Sequence, residues 1–275
     1  MQIMSLITAL PGAAAQGLIW GIMAIGVYIT FRILDIADLT VDGTLCTGGA
    51  VCIMMMLSGH NVWVSMLVAT GAGLLAGLAT GIFHTFMGIP AILAGILTQL
   101  SLYSINLKIM GKANQAINVD KFNLLVSLRR VKGVALTQNT LFIVAIMIII
   151  LIAVLYWFFG TELGCSLRAT GCNPSMSRAQ GINTDRNKVL GLMLSNGLVA
   201  LSGALLTQYQ GFADINMGRG SIVIGLAAVI IGEAIFSRIF RNFALKLLSV
   251  VFGSILYYLV LQIVIWMGID TDLLK

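Results

Sequence analysis

The chain has 275 residues, of which 59% are hydrophobic and only 9% are charged, with a formal net charge of +6. A soluble domain carries about 25% charged residues, so these few charges could not cover the surface of a soluble enzyme of this size. The apolar content excludes an intrinsically disordered chain in the same way. At about 20 apolar residues per membrane span, the length fits roughly eight helices joined by short loops.

Long, continuous apolar runs predict an all-α integral membrane protein in one transmembrane domain over residues 1–275. The predicted spans are 12–31, 39–57, 62–83, 89–107, 139–159, 189–207, 221–236 and 244–267. Polar stretches lie between them at 108–138, 161–188 and 208–220. Eight spans put both chain ends on one side, and the 16 lysines and arginines then divide evenly between the two sides. The positive-inside rule therefore does not decide the orientation.

Charged residues, which are costly inside a membrane, cluster at the starts of spans two and seven. Residues 35–44 read DIADLTVDGT and residues 214–221 read DINMGRGS. Both segments lead into small-residue helices, and they begin on opposite sides of the membrane. This arrangement is typical of an inverted repeat with broken helices. Span two is expected to be interrupted at Asp42-Gly43, and Gly220 is expected to allow unwound backbone before span seven.

A helix that begins inside the membrane exposes unpaired backbone N–H groups, and such backbone is tolerated where it lines a wet cavity. One interpretation is therefore a path for a polar solute. The candidate path residues are Asp38, Asp42, Thr44, Asn216 and Arg219. The alternative is two turns at the membrane surface, with their charges among the lipid headgroups.

The small residues of span three, Gly73, Gly77 and Gly81, recur every four positions and predict close contact with another helix. That helix could belong to the same chain or to a second one. The four cysteines lack the spacing of metal ligands and are expected to be apolar filler. Since no basic patch is interleaved with aromatic residues, a nucleic-acid partner is not expected.

The 161–188 stretch contains the signals of a short helix. Asn173 is a good N-cap, Pro174 suits the first helical position, and Gly181 suits the end. About two turns between two spans cannot bury much surface on their own. The helix is therefore expected to dock onto another protein.

Residues 167–183, LRATGCNPSMSRAQGIN, resemble the coupling-loop region of ABC-importer permeases of the branched-chain amino acid and ribose-type family. The resemblance continues through Ser202-Gly203-Ala204 to the run at 225–232, and is weaker at 35–51.

The resemblance implies a cytoplasmic loop at 161–188 that docks into a separate ATPase subunit, which uses ATP and magnesium. It assigns ATPase coupling to Arg168, Asn173, Pro174, Ser175, Met176, Ser177, Arg178, Ala179, Gln180 and Gly181. It further implies a bacterial-type inner (plasma) membrane location and a dimer of permease chains, with a homodimer expected. A substrate-binding protein would dock outside, where 108–138 would form an extracytoplasmic loop. The chain has no P-loop of its own, and its Gly111-Lys112 pair lacks the phosphate cradle.

The solute is the least determined feature. The 35–44 segment resembles a branch that serves amino-acid binding proteins, which favours an amino acid, aromatic ones included. The leading alternative is an ion-coupled secondary transporter that uses Asp42 or Glu233, and a passive channel comes next. A membrane enzyme would need a convergent catalytic set, and no such motif is present, so neither catalysis nor a cofactor bound by this chain is expected.

Overall fold

A computed structural model describes residues 2–117, 119, 122, 124–131, 139–236, 240 and 242–267. The helices of the described part are α1 (Gln2–Tyr28), α2 (Thr40–Leu57), α3 (Val62–Thr85), α4 (Ala91–Met110), α5 (Thr140–Gly160), α6 (Glu162–Cys172), α7 (Pro174–Ala179), α8 (Thr184–Gln210), α9 (Ser221–Phe236) and α10 (Phe243–Trp266). Helix α1 continues into a π-helical turn, Ile29–Ile33, and Leu128–Val131 forms a short 3-10 helix. Two three-residue strands, β1 (Asn114–Ala116) and β2 (Phe212–Asp214), pair antiparallel.

Seven of the described helices are long and apolar enough to cross a membrane, which confirms an all-α multi-pass membrane protein. The eighth predicted span corresponds to α9, which has 16 residues in the described part of the chain. Such a helix rises about 24 Å, less than the roughly 30 Å of a hydrocarbon core. It starts inside the bundle, where the Ser221 hydroxyl at its first position donates to Asp42.

The centre of the bundle is the antiparallel pair α1 and α8. Three hydroxyls of α8 donate hydrogen bonds to carbonyl oxygens of α1. Tyr209 bonds to Gly12 at 3.0 Å, Ser202 to Ile19 at 2.8 Å, and Ser195 to Gly26 at 2.7 Å. Along these contacts the residue numbers increase in α1 and decrease in α8, so the two helices run in opposite directions.

The other helices surround this pair with the symmetry of the predicted inverted repeat. Helices α2 and α3 pack on α8, while α9 and α10 pack on α1 and on each other. Gly73 and Gly77 of α3 meet the α8 backbone at Asn196 and Leu192. Gly17 and Gly21 of α1 meet α10 around Ser254 in the corresponding way. The small residues of span three therefore pack within the chain, one of the two alternatives left open by the sequence.

The break before α2 lies earlier than predicted. After the π-helical turn the chain is irregular through Leu39, with Asp35 in the left-handed region at φ 56°. Helix α2 is regular from Thr40, so the predicted interruption at Asp42-Gly43 is wrong. Gly43 instead allows close approach of α4, because a Cβ there would lie 3.2 Å from the Gln99 Cα atom.

The two ends of the bundle carry different structures. At one end, called the α7 side, lie α6, α7 and the turn between α3 and α4. The opposite end, called the β side, carries the β1–β2 ribbon. Of the predicted 108–138 loop, residues 118, 120, 121, 123 and 132–138 lie outside the described residues, as do residues 1, 237–239, 241 and 268–275 of the predicted domain.

Candidate functional site

The starts of the two broken helices meet at Asp42. Its carboxylate accepts hydrogen bonds from the backbone N–H groups of Gly220 at 3.1 Å and Ile222 at 3.0 Å. It also accepts one from the Ser221 hydroxyl at 2.8 Å. Asp42 therefore caps α9 from another helix, because a carboxylate is favoured at the positive end of a helix dipole. Gly220 has φ +77°, as a glycine predicted in unwound backbone should.

Close to Asp42 in the chain, buried polar side chains connect the start of α2 to the middle of α8. Asp38 accepts from the Thr40 backbone N–H at 2.9 Å and from the Asn196 amide at 2.7 Å. The Thr44 hydroxyl donates to the amide oxygen of Asn196 at 2.7 Å. Asp38, Thr44 and Asn196 are all buried, so this cluster is fully enclosed by protein.

Two cavities flank the junction of α2 and α9. The first, about 360 Å³, is lined by Asp42, Gly43, Cys46, Gln99, Leu100, Tyr103, Asn106, Ile215 and Arg219. The second, about 510 Å³, lies between α1, α8, α9 and α10. Its polar and aromatic lining consists of Gln16, Trp20, Gln210, Phe212, Asp214, Asn216, Arg219, Tyr257 and Tyr258. Arg219 belongs to the lining of both cavities.

Of the five residues predicted along a solute path, Asp42, Asn216 and Arg219 thus lie together at the cavities. Asp38 and Thr44 line neither cavity and serve the α2–α8 contact. Passage of solute past any of them stays a prediction. Sequence reasoning missed Trp20 and Asn106, although an asparagine inside the apolar α4 is the kind of intramembrane polar residue that signals function.

We predict that Thr44→Val lowers stability and leaves solute selectivity unchanged. The isosteric change leaves the Asn196 amide oxygen without its buried donor, at a cost of about 1–3 kcal/mol. Thr85→Val is the control, because among the described residues the Thr85 hydroxyl bonds only to the Gly81 carbonyl of its own helix. Thermal unfolding in detergent should show a lower Tm for Thr44→Val alone. A changed preference among solutes would contradict the structural role.

A second candidate feature is the short helix α7, which lies at the end of the bundle opposite the β1–β2 ribbon. The Asn173 side chain accepts from the Met176 backbone N–H at 3.0 Å, and Pro174 occupies the first turn. Gly181, at φ +80°, follows the end of the helix. Ser177 is the buried residue of α7, and Met176 is 62% exposed.

Polar contacts fix α7 to the start of α8. The Arg178 guanidinium donates to the Thr184 hydroxyl at 2.8 Å and lies 3.5 Å from the Asp185 carboxylate. Arg168 belongs to α6, and its guanidinium carbon lies 5.4 Å from the centre of the Phe243 ring of α10. Nine of the ten predicted coupling residues thus form α7 and its flanks, while Arg168 lies against α10.

Comparison with known proteins identifies the kind of molecule. Residues 10–274 match the family model described as branched-chain amino acid transport system / permease component. The chain is 39% identical to a tyrosine transport system permease protein of Clostridioides difficile, over 94% of this chain and 84% of that one. It is also 39% identical to an uncharacterized protein of Rickettsia prowazekii, over 98% and 92% of the two chains.

A more distant relative is a fructose import permease protein of Bifidobacterium longum, which is 25% identical over 86% of this chain and 64% of that one. The family match over nearly the whole length agrees with the apolar spanning helices and the broken-helix junction. The chain therefore belongs to the permease components of the branched-chain amino acid transport family, as a multi-pass subunit of an ABC importer.

Proposed function

We propose that this chain imports an amino acid across the bacterial inner membrane, driven by a separate ATPase subunit docked on α7. In this proposal the α7 side is cytoplasmic and the β side faces outward, where a substrate-binding protein delivers the solute. ATP and magnesium are used by the partner, and this chain catalyses no reaction. The observation that carries the proposal is α7 itself, a capped two-turn helix that presents Met176 to solvent in a member of a permease family.

The contacts of α8 provide a route from α7 to the cavities. Arg178 ties α7 to the first turn of α8. Half-way along, Asn196 of α8 bonds to Asp38 and Thr44 at the start of α2. A displacement of α7 by the ATPase would thus move α8 and α2 together. Alternating access in transporters is largely such rigid-body motion of helices around a fixed site.

An amino acid is the solute that the relatives favour. The family model carries the branched-chain amino acid description, and the Clostridioides difficile relative is a tyrosine permease. Asp42 and Arg219 at the cavities offer both charges that a zwitterion requires. The charged groups therefore agree with the solute class.

A second copy of this chain is the proposed membrane partner. Helices α4 and α5 leave most of their apolar side chains uncovered, as expected of surfaces that face lipid or another membrane chain. Light scattering on the detergent-purified permease should give two copies per particle, and a monomer would contradict this part of the proposal.

Met176→Asp should separate the permease from its ATPase. The change places a charge on the exposed apolar tip of α7, so we expect at least a ten-fold loss of ATPase recovered with the tagged permease and of ATP-driven uptake. The folded chain should be unaffected, because the side chain is already 62% exposed.

Met87→Asp is the matched control. Met87 is also 62% exposed and lies on the same side of the bundle, in the turn between α3 and α4. Equal loss of ATPase in both variants, or no loss in either, would contradict docking on α7.

A further inference from the structure

Two buried polar atoms have no hydrogen-bond partner among the described residues, and each belongs to a residue that lines one of the two cavities. They are the indole nitrogen of Trp20 and the amide oxygen of Asn106. Trp20 is 6% exposed and Asn106 is fully buried. Such atoms are uncommon because each costs the full desolvation of the group. The two cavities share Arg219 in their linings, so one ligand that occupies both is a candidate partner for the two atoms.

The smaller cavity offers hydrogen-bond acceptors and a negative charge. The Asn106 amide donates weakly to the Gly43 carbonyl at 3.4 Å, which leaves its oxygen free to accept. A carboxylate has about four lone-pair sites, and the three bonds to α9 leave Asp42 with spare capacity. Two acceptors, one of them anionic, are complementary to an ammonium group.

Arg219, which lines both cavities, supplies the opposite charge. Its side chain is exposed and forms no ion pair with any residue that the structure describes. A guanidinium matches a carboxylate with two parallel hydrogen bonds. The neighbouring charges of Asp42 and Arg219 therefore fit the two charged groups of an α-amino acid.

The larger cavity offers an aromatic wall with one free donor. The rings of Trp20 and Tyr258 lie 5.7 Å apart, and Tyr257 contacts Tyr258 edge-on at 5.6 Å. Aromatic rings in this range attract a further ring beyond simple area burial. The unpaired Trp20 N–H adds a requirement for an acceptor at the far end of the ligand.

We propose that the two cavities form one binding site for an α-amino acid whose aromatic ring carries a hydrogen-bond acceptor, such as tyrosine. The ammonium group lies against Asp42 and Asn106, and the carboxylate binds Arg219. The ring packs on Trp20 and Tyr258, and its hydroxyl oxygen accepts from the Trp20 indole. The proposal rests on the proposed function for its solute class and adds the residues that select the solute.

The test measures binding of tyrosine, phenylalanine and leucine to the full-length permease in lipid nanodiscs by saturation-transfer NMR. The wild type should bind tyrosine about five-fold more tightly than phenylalanine, the value of one net hydrogen bond. Trp20→Phe keeps the ring and removes the donor, so it should bring that ratio to about one. Trp63→Phe is the control, since Trp63 is half exposed on α3 and lines neither cavity. It should leave the ratio unchanged.

Arg219→Gln tests the charged end on an exposed residue whose loss should not affect folding. The change should weaken the binding of all three amino acids by about ten-fold, because a charge-assisted hydrogen-bonded pair is lost. Asn106→Leu should weaken the binding of the three amino acids by about five-fold. Its Tm is recorded because it also removes the bond to Gly43.

The proposal is overturned if the wild type binds none of the three amino acids, or if Trp20→Phe leaves the tyrosine preference intact. It is also overturned if Arg219→Gln binds all three normally. ATP-driven uptake that Met176→Asp abolishes, together with any of these results, would leave the proposed function standing and remove only this site. Selective binding of tyrosine by a chain that recovers no ATPase would support this site and contradict the proposed function.

Discussion

Gly48→Val is expected to prevent the chain from reaching its folded state. A Cβ at Gly48 would meet the backbone carbonyl of Ala200, so α2 and α8 touch backbone to backbone there. Gly203 faces Leu45 across the same contact. A branched side chain would force the two helices apart at the centre of the bundle, which should cost about 3 kcal/mol or more.

The comparison variant is Gly71→Val on α3, where a Cβ would have no neighbour within 4 Å in the part of the chain that the structure describes. Both changes add the same side chain to a helix interior, so the difference between them reports packing alone. Size-exclusion profiles and Tm in detergent should show aggregated or absent protein for Gly48→Val and near-normal protein for Gly71→Val. A wild-type Tm for Gly48→Val would contradict the α2–α8 contact.

Asp42→Ala should have the second-largest effect, with uptake abolished and the start of α9 loosened. The change removes the acceptor for two backbone N–H groups and one hydroxyl. Loss of such a cap costs about 1–2 kcal/mol. Hydrogen exchange at residues 220–224 should accelerate at least ten-fold.

Asp42→Asn separates the cap from the charge. The amide retains one oxygen that can accept from α9, so exchange at residues 220–224 should stay closer to wild type. If Asp42 also binds an ammonium group, uptake should remain strongly reduced in Asp42→Asn. Unchanged exchange in Asp42→Ala would show that α9 does not depend on this carboxylate.

Local signals in the sequence predicted local structure well. Asn173, Pro174 and Gly181 occupy the cap, the first turn and the left-handed stop that their residue types favour. The charged segments before α2 and α9 mark helices that begin inside the bundle, as costly intramembrane charges should. These features depend on a few neighbouring residues, which is why the sequence alone was sufficient.

Helix α6 was not predicted, because it has few large apolar residues, with Leu163 and Leu167 as its two leucines. It contains Gly164 and Gly171, and the latter meets the backbone of Ile33. A cap signal was available, since the Thr161 hydroxyl accepts from the Gly164 N–H. The contact between Gly171 and the Ile33 backbone places α6 in the fold. A contact between two segments so far apart in the chain cannot be read from the local sequence.

The functional site likewise combines features that the local sequence predicts and features that depend on contacts between distant residues. Asp42 was selected for its charge, but its role as the cap of α9 joins residues about 180 positions apart. Trp20 lies in an apolar run where it resembles core, and only the cavity beside it and its unpaired nitrogen set it apart. Arg168 was assigned to coupling through the family resemblance, and in the fold its guanidinium lies over the Phe243 ring.

The most direct test of the central claim is to purify the tagged chain from its native membrane in mild detergent. The co-purifying proteins are identified and their ATP hydrolysis is measured. We predict that an ATPase subunit is recovered with the wild type and Met87→Asp and lost with Met176→Asp. Recovery of the chain without an ATPase, in a form that moves amino acids with an ion gradient in proteoliposomes, would contradict the assignment of an ATP-driven importer.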